Sequence, residues 1–262
     1  MTPVEPYHDD EFDGSWAAEW VNSDGLERTK SYDRIVRERL LPAIGDPETE
    51  AQNASRALWD EKMNAPASED GDVDPGSIAD DANAKAIETF ELLFPLRQSA
   101  LNLGTAGLFH LFEQTCTSFG RAWRRGECKK LEHFLDWLTD VLWIDARAQG
   151  FWGDVRELHM VANVIKHGEG WSAEELRKIN PALFDYPGTH GFMGDLHHPP
   201  VVAPLAGGDL FVTDGDYLRY VQAIESLWTW LAGELTGPLE PAVFVAVTAT
   251  TMVEPTSAVT SA

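Results

Sequence analysis

The segment from residue 154 to residue 168 constrains the fold most, because its apolar side chains recur with the spacing of a helix. At about 100° per residue, Arg156, Asn163 and His167 fall almost on one line, flanked by His159 and Lys166. We call these five residues the polar stripe. The opposite side is apolar: Val155, Leu158, Val161, Ala162 and Ile165. The segment is therefore predicted to be an amphipathic helix with a basic, imidazole-bearing face.

Local signals predict both ends of this helix. Asp154, followed three residues later by Glu157, is typical of a capping box, in which two side chains satisfy the first backbone N–H groups. Gly168 supplies the left-handed residue that often ends a helix. We therefore expect a helix from Asp154 to His167.

The rest of the assignable sequence is also helical, and no internal repeat is present. The expected helices are Thr29 to Leu41, Asp46-Pro47 to Met63, Ser77 to about Trp123, Leu131 to Ala146, a short one after Trp171, and a last one capped by Thr213 and closed by Gly237-Pro238. Pro95 either kinks the third of these helices or starts a new one. The predicted fold class is all-α, with 131–146 and 154–167 forming an antiparallel hairpin.

Finer expectations concern particular side chains. Ser172 and Glu175 predict a second capping box, with Trp171 and Leu176 as its apolar staple. The last helix is expected to bury one side: Leu218, Val221, Ile224, Trp228, Leu231 and Leu235. His110 is expected to be a core histidine, and Arg97 and Glu113 are candidates for buried pairing.

Three domain limits follow from composition. Residues 1–28 read as an acidic, poorly ordered leader whose Trp16 and Trp20 either dock on the domain or bind a partner. Residues 29–236 form one domain, and 237–262 a flexible tail. Two loops are expected, an acidic one at 68–76 and an irregular one at 181–208, with Asp209-Leu-Phe-Val as a short extended piece.

Charge and cysteine content narrow the functional classes. Among 262 residues, 43 acids against 20 bases give a net charge of -23, which repels nucleic acid unless a local basic patch overcomes it. Cys116 and Cys128 have neither zinc nor disulfide spacing, which favours a reducing cytoplasm. We expect no signal peptide, membrane span or cofactor.

Two clusters invite a ligand hypothesis. His190, Asp195, His197 and His198 have metal-ligand chemistry, but adjacent histidines before Pro199-Pro200 rarely converge on one ion, so no metal site is predicted. The densest basic cluster is either an exposed helix corner or a phosphate-contacting patch. It comprises Arg121, Arg124, Arg125, Lys129 and Lys130.

The polar stripe offers chemistry that needs no metal. An imidazole can take a proton from a ribose 2′-hydroxyl or, once protonated, give one to a leaving 5′-oxygen. Lys166 or Arg156 would stabilise the negative charge on the phosphate oxygens, and Asn163 would orient the imidazole of His167 or hold the phosphate. His159, Arg121, Arg124 and Arg125 are the candidate RNA contacts.

The helical pattern with Asn163-Val-Ile-Lys-His167 near the end of a hairpin resembles the HEPN superfamily. The resemblance covers about residues 90–168 and implies a HEPN-like helical bundle with peripheral helices and irregular loops. It further implies a dimeric, metal-independent RNase of prokaryotic antiviral defence or toxin–antitoxin systems. Asn163 and His167 match the family motif, whereas its Arg is replaced by Ala162.

Three interpretations of the stripe remain open. The leading one is an endoribonuclease or RNA-binding effector. A second is a catalytically inactive HEPN-like interaction protein, an acidic partner that restrains a toxin or nuclease. In the third, Asn163 and His167 merely cap and solvate the last turn, where the helix dipole favours cations.

Overall fold

The structure, a computed structural model, describes residues 13–65, 74–124, 128–186 and 200–237. Every regular element in these ranges is helical, and they contain no strand, which confirms the predicted all-α class. The acidic loop at 68–76 lies mostly outside the described residues, as do the four candidate metal ligands between 190 and 198 and nearly all of the 237–262 tail.

The chain is helical from Gly14 to Ile44. It comprises α1 (Gly14–Trp20), a π-helical segment (Val21–Glu27), α2 (Arg28–Ile35), a second π-helical segment (Val36–Leu40) and α3 (Leu41–Ile44). Asp13 caps α1 by accepting hydrogen bonds from the backbone N–H groups of Ser15 and Trp16.

The part of the expected leader that is described, residues 13–28, is ordered rather than poorly ordered. Its helix buries Ala17, Ala18 and Val21 completely or nearly so. The ring of Trp20 lies 5.1 Å from that of Phe119. The domain therefore begins before residue 29, because small residues on this helix allow it to pack closely on the core.

Helices α4 (Pro47–Met63) and α5 (Pro75–Arg124) pack against each other. Asp46 caps α4 at Thr49, as the Asp-Pro pair predicts. The helix α5 runs for 50 residues and continues through Pro95, so no new helix starts there. Its second half supplies the centre of the core, including Leu108, Phe109, Phe112 and Phe119.

Helices α6 (Leu131–Leu142) and α7 (Trp152–His167) follow α5. The helix α6 ends four residues earlier than predicted, because Trp143 adopts a left-handed conformation with φ 55° and the Ile144 N–H reaches back to the Leu138 carbonyl at 2.9 Å. A short 3-10 turn, Ala146–Ala148, leads into α7.

Helices α8 (Trp171–Ile179) and α9 (Asp214–Thr236) complete the bundle, with short 3-10 turns at Pro181–Phe184 and Pro204–Ala206. The predicted capping box at Ser172 is wrong: Gly170 precedes α8, and Glu175 pairs with Lys178 instead. Thr213 does cap α9, in a reciprocal box with Asp216. Leu218 is exposed, and the buried face of α9 includes Tyr217 and Tyr220 instead.

The loop before α9 is fastened to α5 through polar side chains. Asn102 donates to the carbonyls of Pro204 and Leu210 at 2.7 and 2.9 Å, and Gln98 donates to that of Val212 at 2.9 Å. The Asp209–Val212 piece is irregular rather than a strand. None of the helices in the described ranges has the length and apolar content needed to cross a membrane.

Candidate functional site on helix α7

The structure places the polar stripe on the outer face of α7, as its periodicity predicts. Arg156, Lys166 and His167 are exposed, and His159 and Asn163 are half-buried. The opposite face lies in the core, where Val155, Leu158, Val161 and Ile165 are almost fully buried. The amphipathic helix inferred from the sequence is confirmed, and its polar face is open to solvent.

His159 packs against α5. Its ring stacks on that of Phe109 with centroids 4.6 Å apart and planes only 7° from parallel. Burial lowers the pKa of His159, and the charge of Lys166 acts in the same direction, against the opposing influence of Glu132 and Glu113. The imidazole is therefore neutral at pH 7, with one face covered by Phe109.

Lys166 belongs to the same group of contacts. Its Nζ lies 5.8 Å from the centroid of the Phe109 ring. Neither Lys166 nor Arg156 forms an ion pair with any residue that the structure describes, whereas several arginines of this acidic chain are paired with carboxylates: Arg37, Arg97, Arg147, Arg177 and Arg219. Two cations of the stripe thus remain available to an external anion.

The side chains of Asn163 and His167 form no hydrogen bond with another residue of the described ranges. They lie four residues apart, about 6 Å along the helix axis, and so project from the same face. Both functional groups are free to contact a ligand in solution.

The turn that carries His167 is held rigidly. Gly168 ends α7 with φ 71°, and a Cβ there would lie 2.9 Å from the Val201 carbonyl oxygen, so no other residue fits without strain. Glu169 accepts two hydrogen bonds from Arg177, at 2.6 and 2.7 Å, and one from the Val201 N–H at 2.8 Å. The bonds from Arg177 and Val201 lower the pKa of Glu169 to about 2.

Distances along the helix separate the predicted catalytic residues into two groups. Eleven residues at about 1.5 Å each put Arg156 about 16 Å along the axis from His167. A phosphate beside His167 is thus within reach of Lys166 and Asn163 but not of Arg156 in the same chain.

Ala162, the position at which the HEPN resemblance expects an Arg, is 0% exposed in the core. A guanidinium at this position would enter apolar packing rather than the polar stripe. Any cation that acts beside Asn163 must therefore come from another position, of which Lys166 is the nearest on the sequence.

The basic cluster at the end of α5 is not joined to the stripe by any contact among the described residues. Arg121 is exposed and donates to the Thr117 carbonyl of its own helix at 3.1 Å. It lies about 18 Å along α5 from Phe109, the residue that the stripe contacts. Of Arg124 only the backbone is described, and Arg125 lies outside the described residues.

Sequence reasoning missed a buried polar network on the other side of α7. Glu157 is 6% exposed and accepts hydrogen bonds from Arg219 and Tyr220 at 2.7 Å and from Asn180 at 2.9 Å. Arg219 also pairs with Asp154 and Asp216. Burial alone would raise the pKa of Glu157, but these hydrogen bonds outweigh it and hold the pKa below its ordinary value.

This network overturns the predicted capping box at Asp154 and Glu157. Helix α7 begins earlier, at Trp152, and its first turn has no side-chain cap. Both carboxylates instead fasten α7 to α9 through Arg219, a partner more than 60 positions away that the local spacing does not reveal. The i, i+3 spacing of Asp154 and Glu157 is the local signal of these two carboxylates, and by itself it predicts a capping box rather than pairing with Arg219.

Two further side-chain predictions are wrong. His110 is exposed, not buried, and contacts Gln114 at 2.8 Å. Arg97 and Glu113 do not pair with each other, because Arg97 reaches Asp214 at 3.1 Å and Glu113 lies near His110. His110 lies on the solvent-facing side of α5, and positions 97 and 113 are about 24 Å apart along that helix, too far for their side chains to pair.

Comparison of the chain with known protein families, with curated proteins and with solved structures found no match.

Proposed function

We propose that the chain is a metal-independent endoribonuclease or RNA-binding effector, with His167 as general acid/base. The observation that carries the proposal is the set of unpaired groups at the end of α7: exposed His167, Asn163 one turn before it, and Lys166 beside it. In a chain of charge -23, cations without carboxylate partners provide a local place for a phosphate.

The proposed reaction is attack of a ribose 2′-hydroxyl on the adjacent phosphorus. A base removes the 2′-hydroxyl proton, the bond from phosphorus to the 5′-oxygen breaks, and an acid protonates that oxygen. The products are a 2′,3′-cyclic phosphate and a 5′-hydroxyl. Lys166 would stabilise the charge on the non-bridging oxygens, and Asn163 would hold the phosphate or orient the imidazole.

This reaction needs a base and an acid, and His167 supplies only one imidazole at the phosphate. His159 lies about 12 Å away along the axis and is stacked on Phe109. A second copy of the chain would bring a second His167, so the active form is proposed to be a homodimer in which two stripes face one another. This agrees with the dimeric arrangement that the HEPN resemblance implies.

The resemblance also supplies the proposed setting, a cytoplasmic role in prokaryotic defence or a toxin–antitoxin system. Arg156 and the exposed edge of His159 would contact flanking nucleotides, and the cluster that includes Arg121 would bind a more distant part of a longer RNA.

Incubation of the purified protein with structured RNA in the presence of a chelator tests the proposal. Wild type is expected to cleave, and His167→Ala to lose cleavage by at least 100-fold, as is usual when a general acid or base is removed. His110→Ala is the matched control, because His110 is an exposed histidine on α5 rather than α7 and already contacts Gln114 of its own helix. Equal cleavage by wild type and His167→Ala would refute the assignment of His167 as general acid/base.

A second candidate is a non-catalytic interaction protein that restrains a basic toxin or nuclease. Two observations favour it: the burial of Ala162, which leaves the motif without its guanidinium, and the net charge of -23. This candidate predicts a stable basic partner in the native host that dissociates at high salt, with binding unchanged by His167→Ala. Absence of a partner together with chelator-resistant RNA cleavage would exclude it.

A further inference from the structure

A cleft far from the polar stripe opens between the start of α4, the middle of α5 and the start of α9. Its volume is about 330 Å³, at the small end of the range for sites that bind small molecules. The side chains that face it divide into an aromatic wall and a polar rim.

The aromatic wall consists of three rings, of which the middle one, Phe94, contacts the other two. Phe90 and Phe94, one turn apart on α5, are stacked with centroids 5.5 Å apart, and Tyr186 lies 5.1 Å from Phe94. Phe90 and Phe94 are only half-buried, so part of each ring remains accessible. The face of an aromatic ring carries negative electrostatic potential and attracts cations.

The polar rim offers mainly hydrogen-bond acceptors. Asp46, Glu48 and Asp214 face the cleft, and Arg97 is the one cation among the residues that line it. Arg97 is already engaged, since its guanidinium lies 3.1 Å from Asp214. The other two carboxylates, Asp46 and Glu48, therefore form no ion pair with a cation of the rim.

These two carboxylates have free capacity. Asp46 uses one oxygen, Oδ1, to cap α4 by accepting from the N–H and hydroxyl of Thr49 at 2.9 and 2.7 Å. These hydrogen bonds, with a contribution from the charge of Arg97, lower the pKa of Asp46, so it stays ionised in mildly acidic solution. The side chain of Glu48 forms no hydrogen bond or ion pair with any part of the chain that the structure describes.

Gln98 adds a neutral acceptor at the base of the cleft. It is only 8% exposed, and its amide nitrogen donates to the Asn102 side chain and the Val212 carbonyl at 3.0 and 2.9 Å. With both amide hydrogens donated, the carbonyl oxygen is the group left to receive a ligand.

We propose that this cleft binds a small organic cation, an alkylguanidinium or alkylammonium group. The charged head would contact Asp46 and Glu48, and the alkyl body would lie against Phe94 and Tyr186. An anion would face two unneutralised carboxylates, and a neutral ligand would gain neither the ion pairs nor the cation–π contact. The site is independent of the chemistry proposed for α7.

Titration of ¹⁵N-labelled protein with butylguanidinium, followed by NMR, tests the proposal. Backbone signals of residues 46–49 and 94–98 should shift, with a Kd on the order of 1 mM, as suits a ligand of this size. Butylurea has nearly the same shape without the charge and should bind at least about tenfold more weakly.

Variants isolate the contributing groups. Asp46→Asn keeps the helix cap but removes the charge, and with Glu48→Gln it should weaken binding about threefold for each change, or about tenfold together. Phe94→Leu keeps an apolar wall and should weaken binding about threefold through loss of the ring face. Glu19→Gln is the control, because Glu19 is an exposed carboxylate on α1.

Three results would overturn the proposal. The first is the absence of shifts with butylguanidinium at a concentration tenfold above the expected Kd. The second is equal binding of butylurea, and the third is unchanged affinity in the Asp46→Asn/Glu48→Gln double variant. A parallel titration with N-acetyl-Gly-Arg-Gly-amide identifies the source of the cation. Tighter binding of the peptide assigns the site to an arginine of a protein chain, and tighter binding of butylguanidinium assigns it to a free amine or guanidine.

Discussion

Replacement of Glu157 by Ala should destabilise the protein by about 4 kcal/mol. Removing one partner of a buried ion pair costs about 3–5 kcal/mol. Arg219 keeps Asp154 and Asp216 and is 35% exposed, so the low end of that range applies to the ion pair. The buried Tyr220 hydroxyl would lose its acceptor, which adds about 1 kcal/mol or more.

Urea unfolding, followed by tryptophan fluorescence and circular dichroism, measures this loss. Glu157→Gln keeps an acceptor for the tyrosine and should cost about 2 kcal/mol, whereas the exposed Glu19→Ala should change stability by less than about 0.5 kcal/mol. A loss below about 1 kcal/mol for Glu157→Ala would refute the view that this carboxylate fastens α7 to α9.

The pH dependence gives an independent check. Because the folded pKa of Glu157 is below its ordinary value of 4.5, its charge contributes stability that is fully present above that pH. The contribution is lost as the pH falls through the folded pKa. The difference in unfolding free energy between wild type and Glu157→Gln should therefore be constant from pH 6 to 8 and shrink below about pH 4.5. A difference that grows on acidification would contradict the assignment.

Three further predictions concern packing and capping. Ala162→Arg should destabilise by more than about 3 kcal/mol and should not raise RNA cleavage, because position 162 is in the core. Gly25→Ala should cost about 1–3 kcal/mol, since its Cβ would lie 2.7 Å from the indole of Trp228, whereas Gly150→Ala meets no atom within 4 Å and serves as the control. Thr213→Ala should cost about 1 kcal/mol by removing the cap of α9, and Thr213→Ser should restore it. Urea unfolding measures all three, and a stable, more active Ala162→Arg variant would show that position 162 belongs to the site.

Features that depend on local spacing could be predicted from the sequence. The helical class, the apolar and polar faces of α7, the Gly168 terminus and the Thr213 cap all follow from residues within a few positions of one another. The stripe residues consequently lie on one face, as the period of the helix requires.

Features that depend on distant partners could not be predicted. The carboxylate of Glu157 has the same local signature whether it caps its own helix or pairs with Arg219, and only the packing of α9 against α7 decides between them. The small residues Ala17 and Ala18 carry too weak an apolar signal to reveal α1, although they let it approach the core closely. Arg156 and His167 share one face of the helix, but residues on one face can still lie far apart along the axis. The periodicity therefore does not show that Arg156 is too distant to act beside His167.

The cleavage products of a defined RNA, measured with a chelator present, test the central claim most directly. Wild type should produce fragments that end in 2′,3′-cyclic phosphate and 5′-hydroxyl groups. His167→Ala and Asn163→Ala should both lose this activity, while the urea concentration at the midpoint of unfolding stays that of the wild type. Intact RNA after incubation with the wild-type protein, or cleavage that persists in His167→Ala, would contradict the assignment of α7 as the reacting surface.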